Sequence, residues 1–140
     1  EMPEISKDEL TYTFKLKEGV LFHDNKCFKD GKGREMVAQD VVYSIKRLAD
    51  PKNNAIGWWI LDGKLEGLNE WREKQKELEK TNYDEEVSGI KALDKYTVQF
   101  KLREKSPQFL YALPTSYAMV VPREAVEMYG KEFLNNPVGT

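Results

Sequence analysis

Side chains able to do covalent or metal chemistry are scarce in this chain of 140 residues, which carries one histidine, His23, and one cysteine, Cys27. A nucleophilic dyad needs its thiol held within reach of a base and the base oriented by a third group. The short stretch from His23 to Cys27 offers no such group. A structural zinc site needs about four ligands, which these two residues cannot supply. Asp24, Asp30 and Gly31 are calcium-loop residue types, but they miss the D-x-[DN]-x-[DN]-G spacing that converges oxygens on one ion. Gly31-Lys32-Gly33 lacks the glycine spacing and the following Ser or Thr of a phosphate-cradling loop. Lys26 and Lys29 flank Cys27 and would favour its thiolate, yet a single cysteine forms no internal disulfide and reads as an incidental loop residue. Carboxylate pairs such as Glu85-Glu86 read as solvated surface. The chemistry therefore points away from an enzyme and implies neither a cofactor nor a metal.

Binding chemistry is better represented. Ile56-Gly57-Trp58-Trp59-Ile60-Leu61 is the most apolar short stretch, set between a break at Pro51–Asn54 and a turn at Asp62-Gly63. An indole presents a broad apolar face and one N–H donor, which suits stacking on a ligand while fixing one polar contact. Trp58 and Trp59 are accordingly the candidate ligand-binding residues. The competing reading puts both indoles in the core or at a subdomain interface, because Ile56, Ile60 and Leu61 around them look like core residues. His23 is assigned a structural hydrogen bond at a chain turn rather than a ligand.

The bulk composition bounds what these residues can serve. With 40% apolar and 33% charged residues the chain supports one ordinary core. A net charge of −2, from 22 basic and 24 acidic residues, gives no basic footprint for nucleic acid. No apolar run approaches the roughly 20 residues of a spanning helix, so no direct membrane insertion is expected, and the N-terminus carries no signal-peptide pattern.

The elements that must position the tryptophans follow from periodicity. Leu10, Tyr12, Phe14 and Leu16 alternate with polar residues and predict a strand over 10–17. The loop from Gly19 to Met36 holds turn residues, and Asp30-Gly31 would close a small hairpin between 27–28 and 34–36. Val41, Val42, Ile45, Leu48 and Ala49 predict a helix over 38–49, with Asp40 in the first turn and Asp50-Pro51 ending it. Val37 cannot act as a side-chain cap, at a cost of about 1 kcal/mol against Thr. Leu65, Leu68, Trp71 and Leu78 predict a helix over 65–80 with Glu70 and Lys74 paired on its wet face. Two strands over 87–93 and 95–103 join in a tight hairpin, and the second repeats the alternation of the first strand closely enough to share its sheet. Ser106 caps a short helix running to Leu113, 116–121 is a strand, and 123–129 is a helix closed by Gly130. Residues 1–9 are expected to be extended or frayed. Hairpin-like connections rather than repeated βαβ units predict an α+β fold, a small mostly antiparallel sheet with several flanking helices.

That order of elements resembles a known family. Tyr12-Thr13-Phe14-Lys15-Leu16-Lys17-Glu18-Gly19-Val20, then Phe22-His23-Asp24, then Ala38 through Leu48 look like the peptide and nickel family of extracellular solute-binding proteins, which feed ABC importers. Gly89-Ile90-Lys91-Ala92-Leu93-Asp94-Lys95-Tyr96-Thr97-Val98 and Asn136-Pro137-Val138-Gly139-Thr140 extend the likeness in the same order. Lys26 to Arg34 looks inserted relative to the family's connection, and Val37 stands where relatives carry Thr or Ser. The resemblance implies capture of a peptide or similar small ligand without covalent chemistry, handover to an ABC permease, and a monomer. It also implies a periplasmic or extracellular location, with lipid anchoring possible in the full-length protein. It implies that the segment after the Asp-Pro break approaches the ligand cleft and offers an aromatic side chain. The chain opens at Glu1 without a methionine and stops where the family's pattern runs on. The expectation is thus a single subdomain, residues 1–140, cut from the first lobe of a two-lobed receptor. The alternative is a stand-alone protein-interaction module using the Trp58-Trp59 surface.

Overall fold

The computed structural model describes residues 2–140. Its centre is a four-stranded antiparallel sheet in the order β1-β2-β4-β3, where β1 is Glu4–Ile5, β2 is Thr11–Lys15, β3 is Ile90–Ala92 and β4 is Thr97–Lys101. Alternation sets the register as expected: Tyr12 faces Phe100 and Phe14 faces Val98 across β2 and β4, and Ile90 faces Phe100 across β3 and β4. The β3–β4 connection turns where the Asp94 carboxylate accepts the Tyr96 N–H at 2.8 Å. The two-residue strand β1 lies in the stretch read from sequence as extended or frayed. It is held by pairing with β2 rather than by burial.

Helix α1, Ala38–Ala49, lays Val42, Ile45, Leu48 and Ala49 on the apolar face of the sheet, against Tyr12, Val98 and Phe100. Its start is stabilised without a hydroxyl at Val37. The Asp40 carboxylate accepts the Val37 N–H at 2.9 Å, which is the returning half of a capping box. Helix α2, Leu68–Lys76, is shorter than the apolar spacing predicts. Leu65 is taken out of it by a bridge to Leu102, and Leu78 lies beyond its end and is partly exposed. The expected Glu70–Lys74 pair does not form, because Glu70 faces Arg103 at 3.4 Å and Lys74 binds Glu85.

Three further expectations are corrected. No hairpin forms at Asp30-Gly31. A single 3₁₀ turn, Lys29–Gly31, stands there instead, and the one bridge pairs Leu21 with Glu35. A Cβ on Gly33 would lie 1.7 Å from the Phe22 carbonyl oxygen, so the chain doubles back at a glycine rather than as a ladder. Residues 116–121 form a 3₁₀ turn, Ser116–Ala118, and then an unpaired extended run, because Ser44 rather than a strand takes the Val121 N–H at 2.9 Å. The helix expected from Ser106 reduces to α3, Phe109–Ala112, with no side-chain cap, and α4 spans Arg123–Tyr129. A second, smaller core under α4 joins Phe22, Phe28, Ala125, Phe133 and Val138.

Candidate ligand-binding face

The tryptophans sit on a 3₁₀ segment, Ile56–Ile60, whose three-residue period divides them. Gly57 and Ile60, three apart, are buried, whereas Ile56 and Trp59, also three apart, are 83% and 67% exposed. Trp58 falls on the third row with the buried Leu61, packs on the main core, and carries the Arg72 guanidinium 4.7 Å from its ring. Arg72 is itself fixed by donating to the Ala49 carbonyl at 2.6 Å, which ties the segment to the end of α1. The pair read from sequence is therefore split, with Trp58 packed on the core and Trp59 presented to solvent. Gly57 is pressed against Tyr117: a Cβ there would stand 2.5 Å from the Tyr117 Cβ.

Trp59 forms one wall of a concave cavity of about 680 Å³, whose opposite wall comes from α3 and its flanks, with Phe109, Tyr111 and Ala112. Phe109 is the anchor of that wall. It is buried, with its ring centroid 5.5 Å from Phe100 and 5.8 Å from Tyr12, so a four-residue helix is pinned to the sheet by aromatic edges. Tyr111, two residues on, turns outward and is 82% exposed. The polar groups of the cavity are Asp62, Lys64, Ser106, Gln108 and Thr115. On the other side of the same ridge a groove of about 650 Å³ collects Ile56, Tyr117, Met119 and Leu134 with Arg47 and Lys131.

The ionised groups lie mostly in the scaffold. Arg34, from the loop that looked inserted, donates through Nη1 and Nη2 to Asp40 at 2.8 and 2.7 Å. Through Nε and Nη2 it donates to Glu124 at 2.6 and 2.8 Å, which ties α1 to α4. Those two carboxylates hold the guanidinium charged far above any working pH, and Arg34 in turn keeps Glu124 below the usual carboxylate range. Lys46 is buried and donates to the carbonyls of Tyr83 and Glu85 at 2.9 and 2.6 Å, and burial lowers its pKa. The Tyr83 phenol donates to Asp50, and burial with that carboxylate pushes its pKa up.

The His23 side chain is exposed and makes no hydrogen bond among the described residues. The structural bond expected of it is made by its backbone N–H to the Gly139 carbonyl at 2.8 Å. Burial, with Glu124 nearby, pushes the Cys27 thiol up, so the flanking lysines do not activate it. Asp24 accepts from the Gly33 N–H and from Lys32, both at 2.9 Å, which makes it a loop brace. Among the described residues no three His, Cys, Asp or Glu side chains converge as a metal site.

Sequence reasoning missed Tyr111, Lys64 and Arg34. Tyr111 was legible in principle, since Phe109 and Tyr111 fall on opposite sides of a helical turn. Arg34 was not, because Glu124 lies ninety positions away in the chain.

Comparison with known proteins finds the same pattern over the whole chain. The family model described as bacterial extracellular solute-binding proteins, family 5, middle, matches residues 1–140. The chain is 35% identical over 142 aligned positions to the dipeptide-binding protein of Escherichia coli K12, covering 98% of itself and 24% of that protein. It is 31% identical to the oligopeptide-binding protein AmiA of Streptococcus pneumoniae, covering 93% of itself and 18% of that protein. Among solved structures, Listeria monocytogenes OppA bound to peptide superposes with a TM-score of 0.77 at 23% identity, over 99% of this chain and 25% of that one. The chain thus spans about a quarter or less of the length of these relatives.

Proposed function

The chain belongs to the bacterial extracellular solute-binding proteins of family 5, a binding family rather than an enzyme family, and from that premise we propose that it serves peptide capture for an ABC importer. In this reading it is a subdomain of the first of two lobes, and the complete protein closes by a hinge on a dipeptide or oligopeptide and presents it to a membrane permease. The protein works on the outer side of the membrane, periplasmic or extracellular, with a lipid anchor on the complete chain. The observation that carries the peptide reading is the 35% identity to a dipeptide-binding protein, sustained over nearly the whole chain.

The geometry is consistent with it. A peptide needs an apolar wall for side chains and a rigid frame behind that wall, and Trp59 and Tyr111 stand on segments pinned to the sheet through Arg72 and Phe109. Trp59 contacts the ligand in this proposal, and Trp58 holds the ridge from which it projects. The second groove, with Ile56 and Leu134 more than four-fifths exposed, is an apolar face of the kind that marks a protein contact. We assign it to contact with the rest of the first lobe. The alternative, a stand-alone interaction module, would use the Trp58-Trp59 surface instead.

The test is a titration of dipeptides and oligopeptides into the complete protein, followed by tryptophan fluorescence. Trp59→Ala is expected to stay folded and to weaken binding roughly 10- to 30-fold, as loss of a central aromatic contact does. Trp58→Ala is expected to lower stability. A folded Trp59→Ala variant with wild-type affinity would remove Trp59 from the site.

A further inference from the structure

We infer that Lys64 makes the Trp59–Tyr111 cavity selective for peptides that set a carboxylate beside an apolar or aromatic side chain, an inference that rests on the peptide-binding reading above. Two charged residues line the cavity, Asp62 and Lys64. Asp62 is committed elsewhere. Its Oδ1 accepts from the Asn69 side-chain amide at 2.7 Å, and Asn69 Oδ1 accepts the Gly63 N–H at 3.0 Å, so this carboxylate is held against its own turn at the cavity's edge.

Lys64 is fixed by its backbone and left open at its tip. Its N–H donates to Leu61 at 3.0 Å and its carbonyl accepts from Arg103 at 2.9 Å, which holds the residue at the sheet end of the ridge. The residue is partly exposed, and among the described residues no carboxylate lies within ion-pair distance of it and its ammonium makes no hydrogen bond. Neighbouring lysines are satisfied: Lys101 binds Glu66 at 2.7 Å and Lys105 binds Glu9 at 2.9 Å. An ammonium on a cavity wall with no protein partner among the described residues is the group a ligand carboxylate rewards. The charge-assisted bond is made beside the Trp59 indole and the Tyr111 phenol that line the same cavity. Trp59, Phe109 and Tyr111 then receive the adjoining apolar side chain. The carboxylate is supplied by an acidic side chain or by the peptide's own C-terminus.

The experiment is calorimetric titration of the complete protein with the amidated peptides Ala-Phe-Glu-Ala and Ala-Phe-Gln-Ala and with unamidated Ala-Phe. The amidated pair isolates the side-chain source, and amidating Ala-Phe isolates the terminal one. Wild-type protein is expected to bind the carboxylate-bearing member of at least one pair about tenfold more tightly, the scale of one charge-assisted hydrogen bond. Lys64→Met is expected to abolish that ratio while leaving the neutral peptide's affinity within about twofold, and Lys64→Arg to restore it, with circular dichroism melts confirming that both variants fold. An unchanged ratio in Lys64→Met, or wild-type indifference to the carboxylate, overturns the role of Lys64 and leaves peptide binding standing. A wild-type protein that binds none of these peptides and no other peptide overturns the peptide-binding reading, and this inference goes with it.

Discussion

Replacing Arg34 by Ala is expected to destabilise the fold by about 3 kcal/mol, and the value follows from what the guanidinium leaves behind. The Asp40 side chain is 6% exposed, and without Arg34 its one remaining partner among the described residues is the Val37 N–H. Breaking a buried pair by removing one member costs about 3–5 kcal/mol, because an uncompensated charge stays in low dielectric. The Glu124 half of the fork is 40% exposed and weakens toward the 0–1 kcal/mol of a surface pair, which sets the total near the lower end of that range. Loss of the cation stacked 5.3 Å from Phe22 and 5.9 Å from Phe28 adds about 0.5 kcal/mol. For a chain of this length the melting temperature should fall by about 10 °C. Urea denaturation read by tryptophan fluorescence gives the change in midpoint. Arg34→Lys should recover less than half, since an ammonium cannot bind two carboxylates through a planar fork. The double variant Arg34→Met with Asp40→Asn should lie above Arg34→Ala, because it leaves no buried charge orphaned. A change under 0.5 kcal/mol in Arg34→Ala, or a loss that vanishes at 1 M salt, would refute the argument that burial of Asp40 makes the clamp matter.

Two further outcomes are expected. Glu35 accepts from Lys95 at 2.8 Å, from the Gly19 N–H at 2.5 Å and from the Tyr96 hydroxyl at 2.9 Å, and this holds its carboxyl down to about 2. A depressed acid contributes stability that is complete above its ordinary value near 4.5 and is lost as pH falls from there through about 2. The wild-type minus Glu35→Gln difference in urea midpoint should therefore shrink across that window, and a pH-independent difference would count against the assignment. Gly57→Ala should cost about 1–3 kcal/mol, since the new methyl meets the Tyr117 Cβ rather than a flexible tip and the 116–118 turn must move; a neutral variant in the same denaturation assay would contradict the close approach.

Much of the frame was legible because period-two and period-3.6 patterns report burial directly. Tyr12 and Phe14, Val98 and Phe100, and the Val42–Ile45–Leu48–Ala49 stripe identified two strands and a helix that the fold contains. What failed was local pattern overridden by contacts distant in sequence. Leu65 has helical spacing but a better partner in Leu102, and Met119 to Val121 have strand composition but give the Val121 N–H to Ser44 of α1 rather than to a strand. The Asp30-Gly31 signal for a hairpin was real as a turn and wrong as a ladder, because Phe28 is drawn into the second core with Phe22 instead.

The candidate site shows the same limit in sharper form. Nothing in the composition of Ile56-Gly57-Trp58-Trp59-Ile60-Leu61 distinguishes its two indoles, and either helical period or a strand would set adjacent residues on different faces. The 3₁₀ period decides which neighbours each indole keeps. It aligns Trp59 with Ile56 on the outer row, and Gly57 with Ile60 against Tyr117 and the core. The small residue at 57 is what lets the 116–118 turn close on the ridge. That closure brings Thr115 and α3 opposite Trp59, while Phe109 fixes α3 to Tyr12 and Phe100. A wall that binds, as proposed for Trp59, has to be both exposed and rigid, and one row of this short helix supplies exposure while the other two rows supply rigidity. Lengthening the segment by one residue would rotate Trp59 away from Tyr111 without changing its apolarity. The cavity therefore depends on the spacing from Asp50-Pro51 to Asp62-Gly63 as much as on the tryptophan itself.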